Sequence, residues 1–366
     1  MKITFMLGKH PEEPMAGDLV MTKLLVGLTA SLGDVHVVSL SKEGRASTPQ
    51  VTSLPKESVK LWTLIPRALR NRKSLIHSRF DTSHLQDFLR DQASDRFVAE
   101  HSYMAESFIS VRPDEAADKL VVNTHVPESG VLRATHGPKS SFEAARVLRD
   151  EIRVAMAARS VGAFDANEAE WYRSLGAKRS IYMDLTLPPN ELTPLPQQGA
   201  PTLLFIGALG WSPNRSALES LLREWPKILK AVPNARLKLI GKGTDSFPGS
   251  QIEGVLPLGF VNDLGAELEG ATALMAPITV GGGVRVKLLE AIAAGTAVVG
   301  TRDAVGTLDS FLPLTVSSSD EAATDRAIEL LANPTKASAE GRALYEANVE
   351  HWASEKPMKT AEFLLQ

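Results

Sequence analysis

The chain has 366 residues, of which 43% are hydrophobic, and its formal net charge is −3. This length predicts two domains with separate cores, and the nearly balanced charge gives no argument for nucleic acid as a partner. The absence of cysteine excludes disulfides, thiolate metal ligands and a thiol nucleophile, and it is compatible with a cytoplasmic location.

The chain opens with a strand pattern over residues 1–7, which is too short to be a signal peptide. A helical pattern over residues 19–32 and a strand pattern over residues 35–40 follow, which together predict a βαβ unit in a parallel sheet. Ligands of such sheets bind at the carboxyl ends of the strands. The loop over residues 8–18 is therefore expected at the rim of a binding cleft. No later stretch approaches the roughly 18 consecutive apolar residues of a membrane span.

Residues 56–79 form a basic and partly amphipathic segment in which Glu57 is the only acid. Its basic residues are Lys56, Lys60, Arg67, Arg70, Arg72, Lys73 and Arg79. Such a segment can lie on an anionic membrane surface, at the inner face of the membrane for a cytoplasmic protein. The alternative is an ordinary solvated helix edge.

Two later stretches, over residues 96–105 and 120–129, are each predicted to be a strand followed by a polar turn, with a histidine where the strand ends. Because parallel strands end at one sheet edge, His101 and His125 are both expected to face the cleft. A histidine considered alone is more often structural, so a structural role for either residue stays open.

The clearest break in the chain is the proline-rich stretch over residues 183–198, which predicts an interdomain linker. A second βα series follows, with strand patterns starting near residues 201, 236, 255 and 271. We therefore expect an N-terminal domain over residues 1–190 and a C-terminal domain over residues 191–352. The last helix, about residues 353–366, is expected to cross back onto the first domain, with Trp352 anchoring the crossing.

The most informative stretch is Gly281-Gly282-Gly283-Val284-Arg285-Val286-Lys287-Leu288-Leu289-Glu290-Ala291. Three glycines precede a helical pattern over residues 284–294, so bare backbone amides lie at the positive end of a helix, where anions bind. Arg285 and Lys287 add two cations where the helix dipole disfavours them, which a bound phosphate would explain. Glu290 fits a ribose diol, or it forms an ordinary surface pair with Lys287.

This stretch resembles the donor-binding signature of family 4 of the retaining glycosyltransferases, in the subgroup with the pattern Gly-x-Gly-x-Arg-x-Lys-x-x-Glu-Ala. The resemblance implies a GT-B architecture, with two Rossmann-like α/β domains whose parallel sheets face a central cleft. It also implies that the glycine loop, from Gly281 through Gly282 and Gly283 to Val284, holds the diphosphate of a sugar nucleotide. Arg285 and Lys287 would assist that loop, and Glu290 would bind the ribose.

The resemblance assigns further residues to the donor. Gly207 follows a Phe-Ile sequence that resembles the entry to the donor domain, Gly241 ends the next strand, and the backbone at Phe260 and Val261 would seat the nucleobase. The sequence also departs from the family pattern. Ala208 replaces an arginine, and Gly282 replaces a glutamate that usually contacts the sugar.

On the acceptor side, the resemblance places Gly17 near the acceptor or the transferred sugar. His101 matches a histidine that meets the transferred sugar, and His125 and Glu128 would border the acceptor.

The predicted function is therefore transfer of a sugar from a nucleotide diphosphate sugar to an acceptor hydroxyl, with retention of configuration, in polysaccharide or glycoconjugate synthesis. His101, Arg285 and Lys287 are the expected catalytic residues, the acceptor is a saccharide or is lipid-linked, and neither a metal nor another cofactor is expected. Two alternatives stay open. One is a degenerate, glycosyltransferase-like binding subunit, and the other is a sugar-nucleotide epimerase on the same fold.

Overall fold

The computed structural model describes residues 1–13, 17–41, 47–58, 60–191, 199–247, 251–279 and 282–366, without the side chains of residues 136, 138 and 139. Two units are distinguished. The first comprises Met1–Leu185 and Pro357–Gln366, and the second comprises Thr186–Lys356. The fold-class prediction of two α/β domains with parallel sheets is confirmed.

The first unit contains a seven-stranded parallel sheet in the order β3-β2-β1-β4-β5-β6-β7. Its strands are β1 (Lys2–Leu7), β2 (Asp34–Ser41), β3 (Val51–Pro55), β4 (Arg96–Glu100), β5 (Leu120–Thr124), β6 (Ser160–Ala163) and β7 (Ser180–Tyr182). Its helices are α1 (Gly17–Ala30), α2 (Leu61–Arg70), α3 (Leu75–Phe80), α4 (Ser83–Asp91), α5 (Glu106–Val111), α6 (Ala116–Lys119), α7 (Glu128–His136), α8 (Ser141–Ala157) and α9 (Ala166–Ser174). Short 3-10 turns cover Ser102–Ala105, Pro113–Glu115 and Gly137–Ser140. The central strands β1, β4 and β5 are apolar and almost wholly buried, as expected for a sheet covered by helices on both faces.

The second unit contains a six-stranded parallel sheet in the order β10-β9-β8-β11-β12-β13. Its strands are β8 (Thr202–Ile206), β9 (Arg236–Ile240), β10 (Val255–Gly259), β11 (Ala273–Ala276), β12 (Ala297–Thr301) and β13 (Val316–Ser317). Its helices are α10 (Ser212–Ala231), α11 (Leu264–Glu269), α12 (Val286–Ala293), α13 (Arg302–Val305), α14 (Asp320–Ala332) and α15 (Pro334–Ala353), and a 3-10 turn covers Leu308–Ser310. The strand order reverses beside β8, so β8 and β11 flank a topological switch point, where ligands of such sheets bind.

The last helix, α16 (Lys356–Leu365), packs within the first unit. The Leu364 carbonyl accepts a hydrogen bond from Ser160 Oγ at 2.7 Å, and the Leu365 carbonyl accepts one from Arg96 Nε at 2.5 Å. Trp352 lies before this helix, in the second unit, where its indole N–H donates to Thr186 Oγ1 and to the Leu187 carbonyl, both at 3.0 Å. Trp352 therefore holds the linker segment against α15. It does not anchor α16 through these bonds, although the sequence had predicted this.

Helix α12 begins later than the sequence pattern predicted. Its first helical residue is Val286, and Arg285 is the N-cap residue, with a non-helical backbone (φ −99°, ψ 52°). Val284 and Arg285 are partly exposed, whereas Val286 is buried, so the helix starts only where its side chains pack into the core. Arg285 therefore lies before the first turn and Lys287 lies inside it. Among the described residues, no helix is long and apolar enough to cross a bilayer.

Candidate active site

The loops that follow β8, β9 and β10 meet at one edge of the second sheet. The Gly207 amide donates to the Ile240 carbonyl at 2.8 Å, and the Gly241 amide donates to the Gly259 carbonyl at 2.7 Å. Gly241 has a φ of +130°, and a Cβ on it would lie 2.5 Å from the Gly207 carbonyl oxygen. The two predicted donor-loop glycines are therefore in direct contact, and the close approach requires glycine at residue 241.

Lys287 points from α12 toward this edge. Its Nζ donates to Asn214 Oδ1 at 2.9 Å and lies 5.7 Å from the centre of the Phe205 ring. Burial lowers the pKa of Lys287 to about 8, although Glu290 opposes the shift. Within the described part of the chain, the ammonium lies within 4.0 Å of no carboxylate, so it is a partly buried cation whose strongest partner is a neutral amide. A bound anion would supply the missing charge.

Arg285 contacts the backbone around the glycine loop. Its guanidinium donates to the Gly283 carbonyl and lies 3.5 Å from the Asp303 carbonyl. Gly283 has a φ of +70°, a conformation that favours glycine. Arg285 therefore shapes the loop, and a guanidinium with five N–H donors can contact a ligand at the same time.

Glu290 lies on the same helix, partly buried. Burial raises the pKa of its carboxyl group to about 7, against the opposing effect of Lys287. In the described residues, Glu290 and Lys287 influence each other electrostatically, but no ion pair within 4.0 Å joins them. A partly exposed carboxyl group of this kind suits a hydroxyl donor such as a ribose.

The other predicted donor residues have different surroundings. Phe260 is 61% exposed just after β10, and Val261 beside it is partly exposed. Gly282 and Val284 are partly exposed in the glycine loop. Gly281 lies outside the described residues.

His101 is the central residue of the equivalent edge in the first unit. It follows β4 with an unusual backbone conformation for a residue with a side chain (φ 74°, ψ 149°). Its Nε2 lies 3.7 Å from Asp18 Oδ2 and its Nδ1 lies 3.3 Å from Glu128 Oε1. Burial alone would lower the pKa of His101, but the two carboxylates raise it to about 9. The imidazole is therefore positively charged at neutral pH.

His125 is held by a buried carboxylate. Its Nε2 lies 2.5 Å from Glu100 Oε2, which also accepts hydrogen bonds from Thr22 Oγ1 at 2.8 Å and Asn123 Nδ2 at 3.0 Å. The ring centres of His101 and His125 are 4.6 Å apart. The structure thus brings both histidines together, as their positions at adjacent strand ends predicted.

A cavity in the first unit opens at this cluster. Its lining residues include Gly8, Asp18, Lys56, Phe80, His101 and Tyr103. Tyr103 stacks between His101 and Phe80, with ring-centre distances of 4.9 and 4.4 Å. Gly17 is exposed at the start of α1, immediately before Asp18, and Glu128 begins α7. No cluster of three or more metal-ligating side chains occurs among the residues that the structure describes.

Sequence reasoning missed three residues of these sites: Asp18, Glu100 and Asn214. Glu100 carried a readable signal, because it is a carboxylate at the end of the apolar strand Phe97-Val98-Ala99. Asp18 and Asn214 lie near helix starts, where polar residues are common, so their contacts could be found only in the fold.

Comparison with known proteins bears on both units. Residues 200–333, which span the glycine-loop site of the second unit, match the family model described as glycosyl transferases group 1. No curated protein matches the chain.

Several solved structures match nearly the whole chain. Sucrose-phosphate synthase from Thermosynechococcus elongatus superposes with a TM-score of 0.74 at 14% identity, covering 99% of this chain and 98% of that one. WaaG, a glycosyltransferase involved in lipopolysaccharide biosynthesis, gives 0.67 at 15% identity, with 99% and 98% covered. HepE from Anabaena, in complex with UDP and glucose, gives 0.66 at 13% identity, with 100% and 99% covered.

These matches show the two-domain GT-B fold. The match to the group 1 glycosyl transferases covers residues 200–333, which lie in the second unit.

Proposed function

We propose that the protein is a retaining glycosyltransferase of the family 4 subgroup that transfers a sugar from a nucleotide diphosphate sugar to an acceptor hydroxyl. The observation that carries the proposal is the partly buried Lys287 ammonium at the start of α12, which has a lowered pKa and a neutral partner, Asn214. HepE holds UDP and glucose or UDP-glucose in its solved structures, which supports a nucleotide sugar as the donor class. The proposed role is polysaccharide or glycoconjugate synthesis in the cytoplasm, on a saccharide or lipid-linked acceptor.

The proposed donor site is the carboxyl edge of the second sheet. The diphosphate binds at the glycine loop and the N-terminal end of α12, where the helix dipole favours anions. Glu290 accepts hydrogen bonds from the ribose hydroxyls, and the backbone around Gly241, Phe260 and Val261 seats the base.

The proposed chemistry is stabilisation of the leaving diphosphate. The bond between the anomeric carbon and the phosphate oxygen breaks, negative charge grows on that oxygen, and an oxocarbenium-like centre forms on the sugar. Lys287 and Arg285 stabilise the growing charge, so the protein supplies preorganised electrostatics and the reaction is metal-independent. The acceptor hydroxyl attacks from the face that the diphosphate leaves and passes its proton to the departing phosphate oxygen, and attack from that face retains the configuration at the anomeric carbon.

His101 acts as a cation in this proposal, rather than as a general base. With its pKa near 9 between Asp18 and Glu128, it is protonated at neutral pH and donates to an oxygen of the transferred sugar or of its phosphate. His125, oriented by Glu100, and Glu128 border the acceptor. Gly17 gives the acceptor close access to the backbone at the start of α1.

The experiment is a donor screen of the purified full chain, in which release of nucleoside diphosphate is measured with and without saccharide acceptors. We expect release from one class of nucleotide sugar, faster with an acceptor, and a product whose anomeric configuration matches the donor by NMR. Turnover that proceeds unchanged in a chelator would support the metal-independent step. Inversion of configuration would contradict the proposal.

The same screen separates the two alternatives. A degenerate binding subunit would bind nucleotide without releasing diphosphate from any donor. An epimerase would change the sugar in the absence of an acceptor.

A further inference from the structure

Helix α2 of the first unit presents an apolar face to solvent. We call this face the α2 stripe; it consists of side chains that are 45 to 70% exposed: Leu61, Trp62, Ile65 and Leu69. These positions recur at helical spacing along one face of α2, whereas Leu64 and Ala68 on the adjoining face are buried in the unit. Four adjacent exposed large apolar side chains on one helix are unusual for a surface that faces only water.

A helix that contacts α2 also carries an exposed aromatic side chain. Phe142, at the start of α8, is 75% exposed. The Arg146 guanidinium lies 5.8 Å from the Phe142 ring centre and donates to the Ala68 carbonyl at 3.2 Å, which connects α8 to the second half of α2. A second exposed apolar side chain therefore lies on the helix that contacts α2.

Cations surround this surface. Lys60 Nζ lies 4.9 Å from the centre of the Trp62 ring, and Arg70 and Arg72 are exposed at the end of α2. The only acid of the segment, Glu57, lies 3.9 Å from Arg67 Nη1. The exposed charge beside the stripe is therefore positive.

Some basic residues of the segment over residues 56–79 make contacts inside the unit, so this segment is not a uniformly solvated basic face. Lys73 pairs with Asp81 and Glu106, both at 2.8 Å, and Lys56 donates to the Gly8 carbonyl at 2.6 Å. These two cations stabilise the fold. Lys60, Arg70 and Arg72 remain for a partner.

We propose that the α2 stripe and its basic rim dock onto the surface of an anionic lipid bilayer. A tryptophan and aliphatic side chains flanked by lysine and arginine suit the interface, where the rings and aliphatic chains enter the headgroup region and the cations contact anionic headgroups. A second copy of the chain fits less well, because two stripes face to face would bring their cations together. An acidic protein would satisfy the charges but offers no reason for so much exposed apolar surface.

Helix α2 lies close in sequence to residues that line the cavity beside His101, so docking through α2 would also affect this cavity. Lys56 precedes α2 and Phe80 ends α3, and both line that cavity. Docking through α2 would hold the cavity mouth near the bilayer, which suits a lipid-linked acceptor. This consequence rests on the proposed function, whereas the docking itself does not.

The test is flotation of the purified full chain with vesicles of phosphatidylcholine alone and of phosphatidylcholine with roughly 30% phosphatidylglycerol, at low and high salt. We expect binding only to the anionic vesicles, weakened by salt. The variant Lys60→Gln with Arg70→Gln should bind about 25-fold more weakly, because each basic residue near such a surface contributes about fivefold. The variant Trp62→Ala with Leu69→Ala should bind at least about tenfold more weakly, through lost apolar contact.

Matched controls lie elsewhere on the chain. Phe363 in α16 is 52% exposed and has Arg179 4.6 Å from its ring centre, so Phe363→Ala removes a similar side chain from another face. Lys227→Gln with Arg342→Gln removes two exposed charges from the second unit. Both controls should bind like the unchanged protein.

Quenching by brominated acyl chains supplies a second readout. The unchanged protein should lose tryptophan fluorescence on anionic vesicles, and Trp62→Phe should abolish that loss. Three results would overturn the proposal: no flotation, equal binding to neutral vesicles, or full binding by the Trp62→Ala with Leu69→Ala variant. Because these measurements need no sugar donor, failed docking and failed sugar transfer are separate results.

Discussion

At the scale of single residues, His101 combines an uncommon backbone conformation with an imidazole that is protonated at neutral pH. Its φ of 74° with ψ of 149° lies in a region populated almost only by glycine, and such conformations cost on the order of 1–3 kcal/mol. The conformation turns the imidazole between Asp18 and Glu128. Strain at this residue is therefore coupled to the proposed function of the site.

This strain predicts an order of stability for two variants. His101→Gly and His101→Ala both remove the imidazole, but only glycine relieves the backbone. We expect His101→Gly to be more stable than His101→Ala by about 1–2 kcal/mol in urea unfolding, and both variants to lose sugar transfer. An alanine variant as stable as the glycine variant would show that the backbone at residue 101 is relaxed.

The charge of His101 predicts a pH dependence of stability. Its pKa of about 9 in the folded chain lies above the unfolded value of about 6.5, so its stabilising contribution is complete below pH 6.5 and is lost as the pH rises toward 9. Urea unfolding between pH 6 and pH 9.5 should show this loss. The variant His101→Gln, which cannot be protonated, should have a flatter profile over the same range, and identical profiles would contradict the ion pairs.

At the scale of elements, the loops at the edge of the second sheet depend on close backbone contact. The contact between Gly207 and Gly241 leaves no room for a Cβ on residue 241, which would lie 2.5 Å from a carbonyl oxygen. Lys287 is then placed by Asn214, whose Nδ2 donates to the Ala208 carbonyl at 3.1 Å while its Oδ1 accepts from the ammonium. Three elements, β8, α10 and α12, thus hold one cation in position.

A pair of glycine substitutions tests this packing. Gly241→Ala should destabilise the chain by about 2–4 kcal/mol, because it adds both a steric clash and an unfavourable φ of +130°. Gly27→Ala is the matched control. Gly27 lies in α1, where the Cβ of an alanine would meet no atom within 4 Å, so this change should stabilise the helix by up to about 1 kcal/mol. Equal effects of the two changes on the urea midpoint would contradict the close contact.

At the scale of the whole molecule, the apolar periodicity of the sequence predicted the two parallel-sheet domains, because buried parallel strands are continuous apolar runs bounded by turns. The short outer strands β3, β7 and β13 were not predicted. Strands β7 and β13, with three and two residues, carry too little pattern to distinguish from loops, and the five residues of β3 are partly exposed and end in proline instead of forming a buried apolar run.

The sequence could predict a site residue where that residue directly follows a recognisable strand, because the strand fixes its place at the sheet edge. His101 and His125 could be placed at one edge from their strands alone. The charge on His101 could not, since it depends on Asp18, which is distant in sequence and reaches the site only through the fold. The partner of Lys287 was equally hidden, because Asn214 is 73 residues away.

The central claim is that Lys287 binds the diphosphate of the donor, and calorimetric titration of a nucleoside diphosphate tests it most directly. UDP and GDP are titrated into the unchanged protein, Lys287→Gln and the control Lys336→Gln, whose partly exposed lysine lies on α15 and pairs with Glu329. Since the pKa of Lys287 is about 8, affinity should be highest below pH 8 and fall above it, with proton uptake on binding near pH 8. Lys287→Gln should weaken binding about 10- to 100-fold and remove this pH dependence, as expected for loss of a hydrogen bond between two charged groups. An unchanged affinity in Lys287→Gln, at a pH where the unchanged protein binds tightly, would contradict the account.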